Sequence, residues 1–311
     1  MKNAKDVLQS IKDKPGYTLM RGFARFRLAR KLDETSRRLS QSRRLAAFLT
    51  DLEQRMGQSV FSEVNRVAFV DRLRKDGAAF GLCLPGSFVT SINNFALGSP
   101  CFADRLPDSG FNVDRCGAAE SKIGKPILLA QYFNTASGCP AIRQLLEDPF
   151  LNWVAGRYLD ALPVLVGVNL WWTFPVDALA EDRDRHAQLF HRDVDDFRFF
   201  KFFFYLSDVK PGDGGHVCVI GSHLRPPILR AGDRWNIRRY SDAEIEACYP
   251  KEDIVEITGP AGTGFAENTM CAHKGRTPTG LPRVMLQVQF ALFDYEVMHD
   301  HRDAETLRCI A

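Results

Sequence analysis

The feature that most constrains this chain is a series of short, strongly apolar runs in its second half, each ended by turn-forming residues. Val164 to Phe174 reads as one long strand stopped by Pro175. The Phe-rich stretch Phe199 to Leu206 is followed by Pro211-Gly212-Asp213-Gly214-Gly215, after which Val217 to Ile220 resumes the pattern. Gly262-Thr263-Gly264-Phe265 and Val284 to Phe290 continue it. Runs of this length, rich in aromatic and β-branched residues and bounded by Gly and Pro, are strand signals joined by hairpins.

An even number of strands between Val164 and Phe293 points to a double-stranded β-helix of jelly-roll or cupin type. The fold class expected is mainly β with helical additions. The first 80 residues differ: apolar residues recur every three or four positions over 24–32, 39–56 and 61–73, and no Pro falls between Pro15 and Pro85. We therefore expect a helical extension over 1–80 packed on a β-helix domain over 81–311, the two forming one structural unit. Residues 85–140, rich in Gly, Pro, Ser and Asn, read as loops with a short helix, of the kind that covers active sites. A helical patch follows at 140–160, and Glu296 to Ala311 reads as a charged surface tail or short helix.

Chemistry enters at His191-Arg192-Asp193. Side chains two apart on an extended strand share a face, so His191 and Asp193 can present an imidazole and a carboxylate to one point. A third ligand from a distant strand would complete a two-His-one-carboxylate face, which leaves open positions on an octahedral ion. A bare H-x-D is weak by itself. Here it is accompanied by Gly221-Ser222-His223, by His273-Lys274-Gly275, and by Arg283 entering the run Val284 to Phe290. In order and spacing these pieces resemble the phytanoyl-CoA dioxygenase family of Fe(II)/2-oxoglutarate oxygenases over about residues 160–295, with Asp76-Gly77 resembling that family's entry to the domain.

The resemblance implies that His191, Asp193 and His273 bind Fe(II) and that Arg283 binds the distal carboxylate of the co-substrate 2-oxoglutarate. It also implies O2 as oxidant, with hydroxylation of a C–H bond yielding succinate and CO2. The planar guanidinium suits bidentate carboxylate pairing. One departure stands out: the family commonly carries a small hydroxyl residue two places after the distal His, where this chain has Gly275, with Thr277 further on. Two other readings stay open, a cupin-type metal enzyme without 2-oxoglutarate and a non-catalytic binding member of the family.

Other residues carry paired readings. Lys201, a lone cation in an aromatic strand, must be ion-paired or reach a polar cavity where it meets co-substrate or substrate. Asn169 and Thr173 share strand parity with Trp171, and this face is a candidate for hydrogen bonds to 2-oxoglutarate, though the inward face is undecided by sequence. His216 and His223 read as structural hydrogen-bonding residues, His186 as loop surface, and His299-Asp300-His301 as an exposed segment. Nine Arg or Lys between Arg21 and Arg44 form either a solvated helix face whose apolar side packs on the barrel or a docking surface, with Arg37, Arg38, Arg43 and Arg44, for an anionic partner.

Composition sets the outer bounds. With 45% hydrophobic and 25% charged residues, the 311-residue chain can bury a sizeable core. No apolar run reaches the roughly 20 residues of a membrane span, and a net charge of only +3 disfavours nucleic acid. Met1 to Asp6 lack the apolar core of a signal peptide, and eight scattered Cys without a CxxC pair read as reduced thiols in a cytoplasmic protein. The expected partner is a small-molecule or carrier-linked substrate.

Overall fold

The computed structural model describes residues 14–177, 183, 186–229, 233, 238–296 and 298–311. The signal-peptide reading of Met1 to Asp6 falls outside the described residues. At its centre stand two sheets. The larger has eight strands in the order β1-β9-β6-β11-β5-β4-β2-β3, and the smaller three in the order β10-β7-β8. These are β1 (Ala78–Cys83), β2 (Cys101–Ala103), β3 (Gly110–Phe111), β4 (Leu129–Gln131), β5 (Val164–Thr173), β6 (Phe199–Tyr205), β7 (His216–Val219), β8 (Ile254–Ile257), β9 (Thr263–Glu267), β10 (His273–Gly275) and β11 (Arg283–Ala291). Among the described residues, seven of the strands lie between Val164 and Phe293, against the even number expected there. Four short strands before Val164 extend the larger sheet at both edges, because their few residues carry too little periodicity to be read as strands.

The helices in chain order are α1 (Pro15–Phe23), α2 (Arg27–Gln54), α3 (Arg66–Asp76), α4 (Gly86–Gly98), α5 (Cys116–Ile123), α6 (Pro140–Leu146) and α7 (Pro149–Leu159), with a single turn at Thr135–Gly138 and a short α8 (Asp242–Glu246) later. Helices α2 to α7 share the main core with one face of the larger sheet, whereas α1 packs with Phe199 and Ala291 and α8 with Val217 and Val219 of the smaller sheet. Asp148 caps α7 through the Phe150 and Leu151 amides and also accepts from Ser59 Oγ (2.8 Å) and the Val60 amide (3.0 Å), tying the N-terminal helices to the rest. Leu45, Leu49 and Leu52 of α2 join one core with Phe150 of α7, Leu170 of β5, Phe202 and Phe204 of β6 and Leu286 of β11.

Only the C-terminal half of α2 packs in this way. Its N-terminal half leaves Leu28, Leu32 and Leu39 exposed, with Arg38 on the surface and Arg37 paired to Asp33 at 2.9 Å, and Arg43 and Arg44 further along are also exposed. Strand parity then sorts the larger sheet. Val168, Leu170 and Trp172 face the helices, whereas Asn169, Trp171 and Thr173 face a cavity of about 860 Å³ on the side toward the smaller sheet. The undecided face of β5 is thereby decided.

Gly77 ends α3 in the left-handed region (φ 77°), its amide donating to the Leu73 carbonyl. A Cβ there would sit 2.3 Å from Cys271 Sγ, so the Asp76-Gly77 step needs glycine both for its conformation and for the close approach of the chain that carries His273.

Candidate active site

His191 and His273 are brought together by backbone pairing. Each donates its amide to the other's carbonyl at 2.9 Å, an isolated antiparallel bridge that places the two side chains on one face. The H-x-D segment is therefore not part of a strand, as its sequence had led us to expect, but an irregular stretch pinned at His191 and again where the Asp193 amide donates to the Thr269 carbonyl (2.8 Å). The convergence of side chains survives. His191 Nε2 lies 3.7 Å from Asp193 Oδ1 and His273 Nε2 lies 3.7 Å from Asp193 Oδ2, and the three donor atoms are within 4.8 Å of one another.

The donor set is prepared for a cation. His191 Nδ1 lies 3.0 Å from the Leu189 carbonyl and His273 Nδ1 lies 2.9 Å from that of Cys271. A carbonyl only accepts, so both Nδ1 atoms carry the proton and both Nε2 lone pairs point to the shared centre. Burial, reinforced by His273, holds the His191 imidazole neutral, well below its ordinary range. Burial opposes ionisation of Asp193, but the Lys201 ammonium and the two imidazoles outweigh it and hold the carboxyl well below the usual range. Two imidazoles with Nε2 turned inward and one carboxylate on a shared face fit a hard or borderline divalent ion such as Fe(II).

Lys201 projects from β6 into this centre. Its Nζ donates to Asp193 Oδ2 at 2.6 Å and lies 3.9 Å from Asp195 Oδ2. Although burial works against the ammonium, the two carboxylates keep its pKa above the ordinary value. The ion-pair side of its two readings is thus present, and the pair fixes the rotamer of the carboxylate ligand.

Arg283 lies at the opposite end of the same cavity, at the start of β11 and directly opposite Thr173 of β5. Its guanidinium donates to the Gly214 carbonyl and, through Nη2, to Thr173 Oγ1 at 3.1 Å, while Nε is buried without a partner. Among the described residues no carboxylate pairs with it. A buried guanidinium held only by neutral oxygens is costly, and burial lowers its pKa. An incoming carboxylate would relieve that cost. Gly275 lies beside the guanidinium, where a Cβ would meet Arg283 Nη2 at an ordinary contact distance of 3.7 Å, and Thr277 bonds Gln188.

Between the two poles, Asn169 Oδ1 accepts from Gln131 Nε2 at 3.0 Å, and His216 and Glu267 meet at 2.6 Å. Burial lifts Glu267 to about 8, and burial, with Arg283 and Lys201 nearby, drops His216 to about 3. Both shifts favour a hydrogen bond from a protonated acid to a neutral imidazole. His223 bonds the Arg74 carbonyl (3.2 Å) and Cys271 (3.4 Å), and Cys218 and Cys271 are fully buried fillers. All eight cysteines are free.

Several residues read otherwise from sequence. His186 is not on the surface: it is 6% exposed, bonds Asp104 at 2.9 Å and lines the cavity. Of His299-Asp300-His301 only His301 is exposed; Asp300 is buried on the Thr135 amide and hydroxyl, and His299 lines the cavity. These partners are more than 80 residues away in sequence, so no local signal marks them. Gln287 and Gln289 also line the cavity and were legible, because they share strand parity with Arg283 in an otherwise apolar run.

No protein-family model matches the sequence, and no curated protein matches it. Solved structures do. HygX from Streptomyces hygroscopicus, with nickel and 2-oxoglutarate bound, superimposes with a TM-score of 0.50 at 15% identity over 77% of this chain and 92% of that one. The HygX structure that also contains hygromycin B gives 0.50 at 14% identity, over 77% and 93%. SnoN, a non-haem α-ketoglutarate-dependent epimerase of nogalamycin biosynthesis, gives 0.46 at 15%, over 74% and 82%. At these identities the likeness to HygX speaks for the fold, a double-stranded β-helix with helical additions.

Proposed function

We propose that this protein is an Fe(II)/2-oxoglutarate-dependent oxygenase, related to the phytanoyl-CoA dioxygenase family, that hydroxylates an unactivated C–H bond of a small-molecule or carrier-linked substrate. The observation that carries the reading is the pairing of two poles in one cavity. His191, Asp193 and His273 form a cation site at one, and Arg283 lacks any carboxylate partner among the described residues at the other. The HygX likeness supports it, since that fold holds nickel and 2-oxoglutarate.

Bound iron with 2-oxoglutarate and O2 would supply the oxidising power for C–H hydroxylation, with succinate and CO2 as co-products. The chain's own residues do the positioning. His191, Asp193 and His273 hold the metal on one face, and Lys201 keeps the Asp193 carboxylate ionised and oriented. Arg283 and Thr173 receive the distal carboxylate, and Asn169 offers an amide on the same wall. The apolar side chains of Phe203 and Met285 limit water around the centre. The N-terminal helices and residues 81–311 act as one structural unit in this reading, supported by the Asp148 links. No helix among the described residues is long and apolar enough to cross a membrane, and the free thiols fit a cytoplasmic setting.

Purified protein reconstituted anaerobically with Fe(II) and then given O2 and 2-oxoglutarate should release succinate, even uncoupled from substrate, and a chelator should stop it. A protein that binds metal but neither binds nor decarboxylates 2-oxoglutarate would favour a cupin-type enzyme with different chemistry.

A further inference from the structure

The cavity is far more cationic than a metal site and one co-substrate require. Among the described residues that line it, seven arginines and one lysine face only two carboxylates, Asp193 and Asp195. A divalent ion and doubly charged 2-oxoglutarate cancel one another, so the excess positive charge remains after both are bound. At about 860 Å³ the cavity lies toward the upper end of the roughly 300 to 1,000 Å³ typical of ligand pockets. A five-carbon diacid leaves much of it free.

Some of these cations are neutralised within the protein: Arg21 meets Asp195 at 3.5 Å and Arg238 meets Asp233 at 2.8 Å. Arg105 has no partner among the described residues. It follows β2 in a turn where two successive non-glycine residues, Asp104 (φ 54°) and Arg105 (φ 65°), adopt the left-handed conformation. Such a turn costs free energy and persists only if its surroundings impose it. Here they do, because the Asp104 carboxylate is held by Lys125 Nζ (2.8 Å) and His186 Nε2 (2.9 Å). The result sets Arg105 on the cavity wall, where burial lowers its pKa and the Asp193 and Asp104 carboxylates act against that shift.

Buried polar groups that line the cavity also lack partners. Gln289 is fully buried, and neither its Oε1 nor its Nε2 has a hydrogen bond. His186 is more than nine-tenths buried and its Nδ1 is likewise unpartnered. Unmet polar groups in a lined cavity are the usual sign of a polar ligand.

We infer that the oxidised substrate is a polar oxyanion, a small molecule carrying a phosphate or carboxylate, and that Arg105 on its strained turn is the residue that receives the anion. This rests on the oxygenase reading of the same cavity, and it adds the charge class of the substrate and the residue that selects it. Guanidinium forks match both oxyanions, so the test separates the two.

The test uses full-length protein loaded with Ni(II) and 2-oxoglutarate, with binding followed calorimetrically. Phenyl phosphate, phenylacetate and the neutral benzyl alcohol are titrated in turn. We expect one or both anions to bind saturably and benzyl alcohol not to. Arg105→Gln should weaken anion binding by roughly 10-fold or more while leaving the 2-oxoglutarate isotherm unchanged. Arg105→Lys should restore part of the loss, which a merely structural role for the turn would not predict. Phosphate-selective or carboxylate-selective binding assigns the oxyanion. Equal binding of the neutral probe, or anion binding indifferent to Arg105→Gln, overturns the inference while leaving the oxygenase reading intact. Failure of 2-oxoglutarate itself to bind would instead sink the reading on which it rests.

Discussion

The two faces of the larger sheet are built from the same strands and do opposite things. On β5, β6 and β11 the helix-facing positions, among them Leu170, Phe202 and Leu286, are apolar and fully buried in the main core. The alternate positions, among them Asn169, Lys201 and Arg283, carry nitrogen and oxygen into the cavity. Because strand parity interleaves them, the apolar face fixes the register in which the polar face is presented. Stability and chemistry are thus separated by one residue along the chain, and substitution on either face should show how cleanly.

The largest effect is expected at the metal end. Replacing His191, Asp193 or His273 by Ala should abolish Fe(II)-dependent succinate release; the unfolding midpoint should change little for the two histidines, whose bridge is made by backbone atoms, but should fall for Asp193→Ala, which removes the close partner of the buried Lys201 ammonium. Retention of turnover by His273→Ala would remove the assignment of the three ligands. Next comes the opposite face. Phe202 is fully buried against Phe200 and Phe290, and Phe202→Ala should cost about 3 to 5 kcal/mol in denaturant unfolding. Any folded fraction should keep the wild-type 2-oxoglutarate dependence. A changed KM there would mean that the faces are coupled.

At the anchor the expected loss is smaller. Removing a charged bidentate contact costs about 1.5 to 3 kcal/mol, so Arg283→Ala should weaken 2-oxoglutarate binding by roughly 10- to 150-fold with metal affinity almost unchanged. Unaltered 2-oxoglutarate dependence would shift attention to Lys201.

The smallest effect concerns pH. Burial raises Glu267 from an ordinary 4.5 to about 8. A folded pKa above the unfolded one means that this group's contribution is complete below pH 4.5 and is lost as pH rises toward 8. His216, lowered from 6.5 to about 3, acts in the other direction, its contribution being present above pH 6.5 and lost as pH falls toward 3. The two slopes oppose each other, so the informative quantity is the difference between variant and wild type. Glu267→Gln should become progressively more stable than wild type, relative to their difference at pH 5, as thermal unfolding is repeated up to pH 8. A constant difference across that range would show that Glu267 is ionised in the folded protein.

Sequence determined the long strands, because β5, β6 and β11 are apolar runs whose burial is written in their composition, and it determined the helical start, because 3.6-residue periodicity survives without tertiary context. It also offered His191 and Asp193 as candidates through their spacing, and His273 and Arg283 through the family resemblance that their order and spacing carry. Only the tertiary structure decided which face of β5 lines the cavity, that Lys201 pairs with Asp193, and that His186, Asp300 and His299 are buried or cavity-lining rather than exposed. It also placed Arg105 on the lining of that cavity, in a turn with positive φ. The reason is physical: periodicity and composition report what a residue does to its own segment, whereas a polar side chain's burial and charge state depend on partners from strands and loops far away in the chain.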